Sequence, residues 1–465
     1  MPLSRKDDRK TGQQQTPAAV HAPDPSAYIP SHQLPEKGMD GDFAYEVLTN
    51  ELLLDGQARL NLATFVTTWM PSVGAKIMAD TMDKNMIDKD EYPQTAAIET
   101  RCVNILADLW HSPEAEDATG CSTTGSSEAA MLAGMALKWR WRARQRQAGR
   151  PTDKPNLVMG INVQVCWEKF CRYWEVEPRV VPMEGDRFHL GPEEAAAQCD
   201  ENTIGVVAIL GSTFDGSYEP VKEIAAALDK LESDKGWDIP IHVDAASGGF
   251  VAPFLQPDLE WDFRIERVQS INASGHKYGL VYPGVGWAIW RDKAALPKDL
   301  VFDVNYLGGN MPTFALNFSR PGSQVVAQYY MFTTLGREGY TRVMQNAQDV
   351  AMLVSSGIEQ MGPFELLTRG EELPVFAFKL RDGVDKYTVF DVSEYIRMRG
   401  WLIPAYTFPK NREDLSVLRI VVRAGLNHDM GHRLLEQLGQ QTEQLESLDA
   451  PLPKRQTSAR QAFKH

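Results

Sequence analysis

Between residues 156 and 290, short apolar runs alternate with segments of helical pattern, and this alternation limits the fold more than any other feature of the chain. Residues 156–160, 180–183, 204–210, 239–243, 268–273 and 285–290 read as buried strands, and 163–174, 192–198 and 220–232 as the helices between them. Strands separated by helices of that length are joined by crossovers, which set neighbouring strands parallel and cover both faces of the sheet. A mostly parallel α/β sheet is therefore expected. Helical spacing also marks the stretch from Asp42 through Phe43, Val47 and Leu52, the stretch from Ala96 to Trp110, and a long region from Gln324 to about Met361. The last of these leads toward a second, smaller α/β unit with strands at 375–380 and 416–422.

In an open α/β sheet, ligands gather in the crevice outside the carboxyl ends of the strands. Two chemically able side chains stand at such ends. Asp244 closes the run Ile241-His242-Val243-Asp244 and leads into Ala245-Ala246-Ser247-Gly248-Gly249, small residues that permit close approach to the backbone. Lys277 follows the run 268–273 in Ser274-Gly275-His276-Lys277. An amine and a carboxylate in one crevice suit pyridoxal 5′-phosphate (PLP): the amine forms a Schiff base with its aldehyde, and the carboxylate keeps the pyridine nitrogen protonated. A third element, Gly125-Ser126-Ser127-Glu128, opens a helical run to Gln147, and a helix N-terminus presents free N–H groups to an anion such as a phosphate. Each element also has a plain structural reading. Lys277 alone would be a solvated surface charge, Asp244 a strand-end cap, and the serines an ordinary helix start.

Composition removes other classes of function. A net charge of -14 disfavours binding to nucleic acid or anionic lipid. The cysteines, Cys102, Cys121, Cys166, Cys171 and Cys199, are odd in number and show no CxxC spacing. Neither a disulfide framework nor a metal site is expected, and a reducing cytoplasm fits. No run approaches the ~20 apolar residues of a membrane span, and the N-terminus carries no apolar export signal. Residues 1–37 are polar and punctuated by Pro2, Pro17, Pro23, Pro25, Pro30 and Pro35, which reads as a solvated tail or an arm that docks on a neighbouring subunit.

Several stretches resemble the PLP-dependent group II amino acid decarboxylases, and within them the glutamate-decarboxylating members of bacteria and plants. They are Leu62-Ala63-Thr64-Phe65, Lys84-Asn85, Glu91-Tyr92-Pro93-Gln94, Gly125-Ser126-Ser127-Glu128-Ala129, His242 through Gly249, Ser274-Gly275-His276-Lys277 and Asn317-Phe318-Ser319-Arg320-Pro321. The resemblance spans roughly Asp42 to Arg423. It implies the aspartate aminotransferase-like fold, type I of the PLP-dependent transferases, with a mostly parallel seven-stranded sheet in a large domain and a small C-terminal α/β domain. The division it suggests is 1–59 for tail and helical segment, 60–347 for the large domain and 348–465 for the small one.

The same resemblance implies roles. Lys277, His276 and Asp244 are the catalytic group. Ser126, Ser127, Gln164, Thr213, Asp244, Ser274, His276 and Lys277 contact the cofactor, and Ser319 reaches the phosphate of an adjacent subunit. Thr64, the N–H of Phe65, Asn85 and Asp88 receive the distal carboxylate of L-glutamate, with Arg423 as an active-site arginine. The reaction would yield 4-aminobutanoate and carbon dioxide and consume a proton, in a homodimer or homohexamer. Glu168 departs from the bacterial pattern, where a histidine often follows Cys-Trp. The final Phe463-Lys464-His465 is similar to a bacterial C-terminus whose histidine shuts the site at neutral pH, a change within reach of a group titrating near pH ~6.5. Nothing C-terminal resembles the tryptophan-bearing basic segment with which plant members bind calmodulin, so that partner is not expected.

Overall fold

A computed structural model of the chain describes residue 30, residues 32–304 and residues 311–453. The Pro-rich tail, apart from its last residues, and His465 lie outside the described residues. Contacts within the chain separate a unit ending at Gln57 from a second that begins at Ala58. The first contains helix α1 (Gly41–Leu52), whose start is capped by the Asp40 carboxylate accepting from the backbone N–H groups of Asp42 and Phe43 (3.0 and 3.1 Å).

The second unit opens with α2 (Ser72–Asp80) and α3 (Pro93–Leu109), then enters a β/α series. In order these are β1 (Thr119–Thr123), α4 (Ser126–Gln147), β2 (Asn156–Gly160), α5 (Val165–Tyr173), β3 (Glu177–Val181), α6 (Pro192–Gln198), β4 (Thr203–Ile209), α7 (Val221–Lys235), β5 (Ile241–Asp244), α8 (Ala252–Leu255), β6 (Val268–Ala273) and β7 (Gly286–Trp290). They form one seven-stranded sheet in the order β1-β7-β6-β5-β4-β2-β3. Only β7 runs antiparallel to its neighbours, so the other six strands end on the same edge.

Alternation along the strands divides the core between the two faces. Leu157, Met159 and Val207 pack with Ala133, Leu137 and Trp141 of α4 on one side. Val158, Val206 and Ile271 pack with Leu106 of α3 and Ile224 and Leu228 of α7 on the other. Each fully buried aliphatic side chain is worth roughly 1.5–3 kcal/mol, and the two layers hold the strand ends in fixed relation.

A short hairpin, β8 (Phe302–Val304) and β9 (Met311–Thr313), precedes the long helix α9 (Ser323–Gln360), which kinks at Gly336 (φ 57°). Then come β10 (Phe364–Leu366), β11 (Val375–Leu380), α10 (Val389–Arg397), β12 (Ala405–Thr407), β13 (Ser416–Val421) and α11 (His428–Glu446). The four strands make an antiparallel sheet whose core joins Phe376, Phe378 and Ile420 to Val354 of α9, Ile396 of α10 and Leu438 of α11.

The structure corrects three details of the sequence reading. The strand read at 180–183 is β3, Glu177–Val181, shifted toward its polar residues because it is the outer strand of the sheet. β1 has the composition Thr-Gly-Cys-Ser-Thr, without the apolar run that announces a buried strand, and was not anticipated. The region from Gln324 to Met361 is bent at Gly336. Among the described residues, no helix is long and apolar enough to cross a membrane.

Candidate active site

The common edge of the parallel strands carries the chemistry. β6 ends at Ala273, and the chain turns out of the sheet through Ser274, whose N–H donates to the carbonyl of Ala246 just beyond β5 (3.1 Å). Lys277 is thereby placed beside the end of β5, with Nζ 3.4 Å from Ser247 Oγ and 5.2 Å from the centre of the Phe65 ring. Burial holds its ammonium below the ordinary lysine range, and the charge of Asp244 opposes that shift.

Asp244, 5% exposed at the last position of β5, accepts hydrogen bonds on both carboxylate oxygens. Trp167 Nε1 donates to Oδ2 at 2.8 Å, while Asn272 Nδ2 and the Ala246 N–H donate to Oδ1 at 2.9 and 3.2 Å. Trp167 comes from α5 and Asn272 from β6, where the parallel register sets it opposite Asp244. Hydrogen bonds to a charged group are worth about 1.5–3 kcal/mol each, and three of them leave this side chain little freedom.

At the other side of the crevice, β1 leads through Gly125 into the N-terminus of α4. Ser126 Oγ lies 2.6 Å from Ser274 Oγ, which ties the start of the helix to the segment bearing Lys277. The backbone here is closely packed: a Cβ added at Gly286 of β7 would fall 2.4 Å from the Gly125 carbonyl carbon and 2.7 Å from the Ser126 nitrogen. Ser127 is exposed. Glu128 accepts from the N–H and hydroxyl of Thr124 (2.8 and 2.9 Å) and from the N–H groups of Leu316 and Asn317 (3.0 and 3.3 Å), bracing the loop ahead of the helix. The His276 ring lies against Gly125, and its Nδ1 is buried without a partner. Burial, with the Lys277 charge beside it, lowers the pKa of His276 to about 4.

The segment from Asn61 to Thr68 closes the crevice. The Thr67 hydroxyl donates to the Lys277 carbonyl (2.5 Å) and the Thr67 N–H to the His276 carbonyl (2.7 Å). Thr64 Oγ1 accepts from the Val66 N–H at 3.1 Å, next to Phe65. Two buried arginines hold this segment from β13 and just after it. Arg419 donates to the carbonyls of Ala63 and Thr213 and stands 4.9 Å from the centre of the Phe65 ring. Arg423 donates to the carbonyls of Val66 and Asn61 and to the Thr68 hydroxyl. Their described partners are neutral oxygens, and Nε of each is buried and unpartnered. Burial depresses the pKa of both.

Comparison with known proteins bears directly on this arrangement. Residues 37–381 match the pyridoxal-dependent decarboxylase conserved domain. The chain belongs to the pyridoxal-dependent decarboxylase family. This decarboxylase is 58% identical to a glutamate decarboxylase of Aliivibrio fischeri over 417 residues, 89% of this chain and 90% of that one. It is 51% identical to glutamate decarboxylase 5 of Arabidopsis thaliana over 424 residues, 91% of this chain and 86% of that one. Its structure is similar to that of the Lactobacillus brevis glutamate decarboxylase, with a TM-score of 0.88, 46% identity, and 90% and 96% of the two chains covered.

The crevice of this decarboxylase fits PLP. The cofactor requires an amine, a carboxylate and an anion cradle, and Lys277, Asp244 and the α4 N-terminus stand together. The bare backbone at Gly286 and the unpartnered Nδ1 of His276 add close approach and an unused polar atom. Gln164, at the N-cap of α5, donates through Nε2 to the Thr213 hydroxyl, and the Thr213 carbonyl is bonded to Arg419.

Two substrate residues of the sequence reading lie elsewhere in the described contacts. Asn85 Nδ2 donates to Ser319 Oγ at 3.3 Å and its Oδ1 accepts from the Arg320 N–H at 3.1 Å, where residues 84–86 pair with 320–322. Asp88 follows on the same turn, half-buried, its N–H donating to the Asn85 carbonyl (3.2 Å). Ser319 is exposed, and Arg320 is anchored beneath it by Ser122 and Glu99. Glu168, one position past Trp167 on α5, is half-buried. Sequence reasoning missed Arg419, Asn272 and Trp167. For Asn272 and Arg419 a polar residue inside an apolar strand run was the available signal, since such a group needs a partner when buried, whereas Trp167 on α5 gave no such signal.

Proposed function

We propose that this chain is a PLP-dependent glutamate decarboxylase, converting L-glutamate and one proton to 4-aminobutanoate and carbon dioxide. The observation that carries the reading is near-full-length similarity to glutamate decarboxylases at a crevice where Lys277 and Asp244 converge. Lys277 would hold the cofactor through Nζ, Asp244 would keep the proton on its ring nitrogen, and Ser126, Ser127 and Ser274 with the α4 N-terminus would receive its phosphate. Gln164, Thr213 and His276 would line the rest of the cofactor. When bound, PLP supplies the electron sink that accepts the pair left by the departing carboxylate.

The protein's own groups account for the remaining steps. Depression of the Lys277 pKa by burial favours a neutral amine at Nζ, the form that can attack a carbonyl and later carry a proton. Thr64, the Phe65 N–H and the cations nearby favour a substrate with a distal carboxylate, because buried positive charge in a cleft concentrates anions.

Asn85, Asp88 and Ser319 are assigned to the active site of a second copy, which makes a homodimer, or a homohexamer built from dimers, the working form. We assign 60–347 to a large domain, 348–465 to a small one and the enzyme to the cytoplasm. His465, outside the described residues, is proposed as a pH-sensitive switch. Carbon dioxide release from L-glutamate, L-aspartate and L-tyrosine by purified holoenzyme tests the substrate. Turnover should be greatest with L-glutamate, and faster release from L-tyrosine would overturn the assignment.

A further inference from the structure

Behind Asp244 lies a polar chain that the proposed reaction does not use. His242 of β5 is completely buried, 0% exposed, between the apolar residues Ile241 and Val243 of its strand. Its Nδ1 is 2.8 Å from Ser270 Oγ and its Nε2 is 2.6 Å from Asn272 Oδ1, with Asn272 likewise 0% exposed. Asn272 Nδ2 then reaches Asp244 Oδ1 at 2.9 Å. The register of β5 against β6 creates this ladder by pairing His242 with Ser270 and Asp244 with Asn272.

Hydrogen-bonding capacity fixes the direction of the chain. An ionised carboxylate only accepts, so Asn272 must turn its NH₂ toward Asp244 and its oxygen toward His242. That oxygen also only accepts, so Nε2 of His242 carries the ring proton. Nδ1 is then free to accept from the Ser270 hydroxyl. Every donor from Ser270 onward points toward Asp244, and reversing the Asn272 amide would set two oxygens face to face. The Trp167 ring packs 5.1 Å from the His242 ring while its N–H holds the other carboxylate oxygen, so the two arms are mutually braced. Burial keeps His242 well below the ordinary histidine range, which favours the neutral ring.

We infer that His242 and Asn272 are positioning residues that orient Asp244 toward the cofactor ring nitrogen, with Ser270 fixing the tautomer of His242. This rests on the reading of Asp244 as the group that holds the proton there. A buried polar ladder across two central strands is expensive unless fully satisfied, and here each described member is satisfied and the chain terminates on one functional carboxylate.

The test measures PLP affinity of apoenzyme and the pH-dependent absorbance of holoenzyme for Asn272→Leu, Asp244→Asn and the double variant. Asn272→Leu should weaken PLP binding about tenfold and shift the absorbance titration, and it should lower kcat with little change in KM. In the Asp244→Asn background the same substitution should add almost nothing, because its path runs through Asp244. Equal loss in both backgrounds, or an Asn272→Leu holoenzyme with parental spectrum and affinity, would overturn the inference. If Asp244→Asn itself leaves spectrum and affinity unchanged, the reading of Asp244 fails instead. Should Asn272→Leu not fold, Ser270→Ala and His242→Gln decide: smaller shifts in the same direction support the ladder, and parental behaviour in both overturns it.

Discussion

Around Lys277, Ser247, Asp244, Asn272, Trp167, Thr67 and Ser126 interlock across the edge of the large sheet. At Asn85 and Ser319 the arrangement differs. The two side chains bond each other across paired segments 84–86 and 320–322, and Ser319 stands exposed. The first region is an interlocked crevice. The second is a braced surface where Ser319 resembles a residue that reaches a neighbouring subunit and Asn85, bonded to it, is proposed to act with it, so substitutions in the two regions should fail in different ways.

Lys277→Ala should give the largest effect, a fall in kcat on the order of 10⁴-fold, the upper range for loss of a proton-transferring group. Steady-state decarboxylation in the presence of saturating PLP measures it, and residual activity near the parental level would erase the distinction between the regions. At the second region, Asn85→Ala should raise KM for L-glutamate by roughly tenfold, a loss of about 1.4 kcal/mol. Mixing it with Lys277→Ala sharpens the comparison. If Asn85 serves the other copy's site, subunits exchanged between the two variants should form one intact site and regain the parental KM for L-glutamate, which neither variant shows alone. No recovery after verified exchange would place Asn85 in its own chain's site.

The crevice was legible in the sequence because its determinants are local. Continuous apolar runs announced β2, β4, β5 and β6, and strand direction alone brings Asp244 and Lys277 to one edge. β1 was hidden because Thr119–Thr123 carries no apolar run and takes its place in the sheet by pairing with β7. Arg419 was hidden for a related reason: an arginine in a strand reads as a surface charge until β13 is seen to carry it beneath Phe65. The pairing of Asn272 with Asp244 became visible only through register, because a shift of one residue would turn Asn272 to the opposite face. The Asn85–Ser319 pair was legible only by resemblance, since residues 234 positions apart leave no local signal.

A prediction about stability rather than activity concerns pH. Buried His276 has a pKa near 4 in the folded chain, against ~6.5 for an unperturbed histidine. The unfolded chain therefore binds the proton first as pH falls, so this contribution to stability is present above pH ~6.5 and is lost toward pH ~4. At about 1.4 kcal/mol per pH unit the loss has an upper bound of roughly 3 kcal/mol. Replacing His276 with Gln should flatten the melting temperature of the apoenzyme across that interval, and an unchanged acid slope would contradict the burial assigned to the ring.

The central claim is that PLP is held at one amine. Borohydride reduction of freshly loaded holoenzyme, followed by proteolysis and mass mapping, would locate the attachment directly. The account predicts a single pyridoxyl label on the peptide containing Ser274-Gly275-His276-Lys277, at Lys277 itself. A label on a different lysine, or none at full cofactor occupancy, would contradict it.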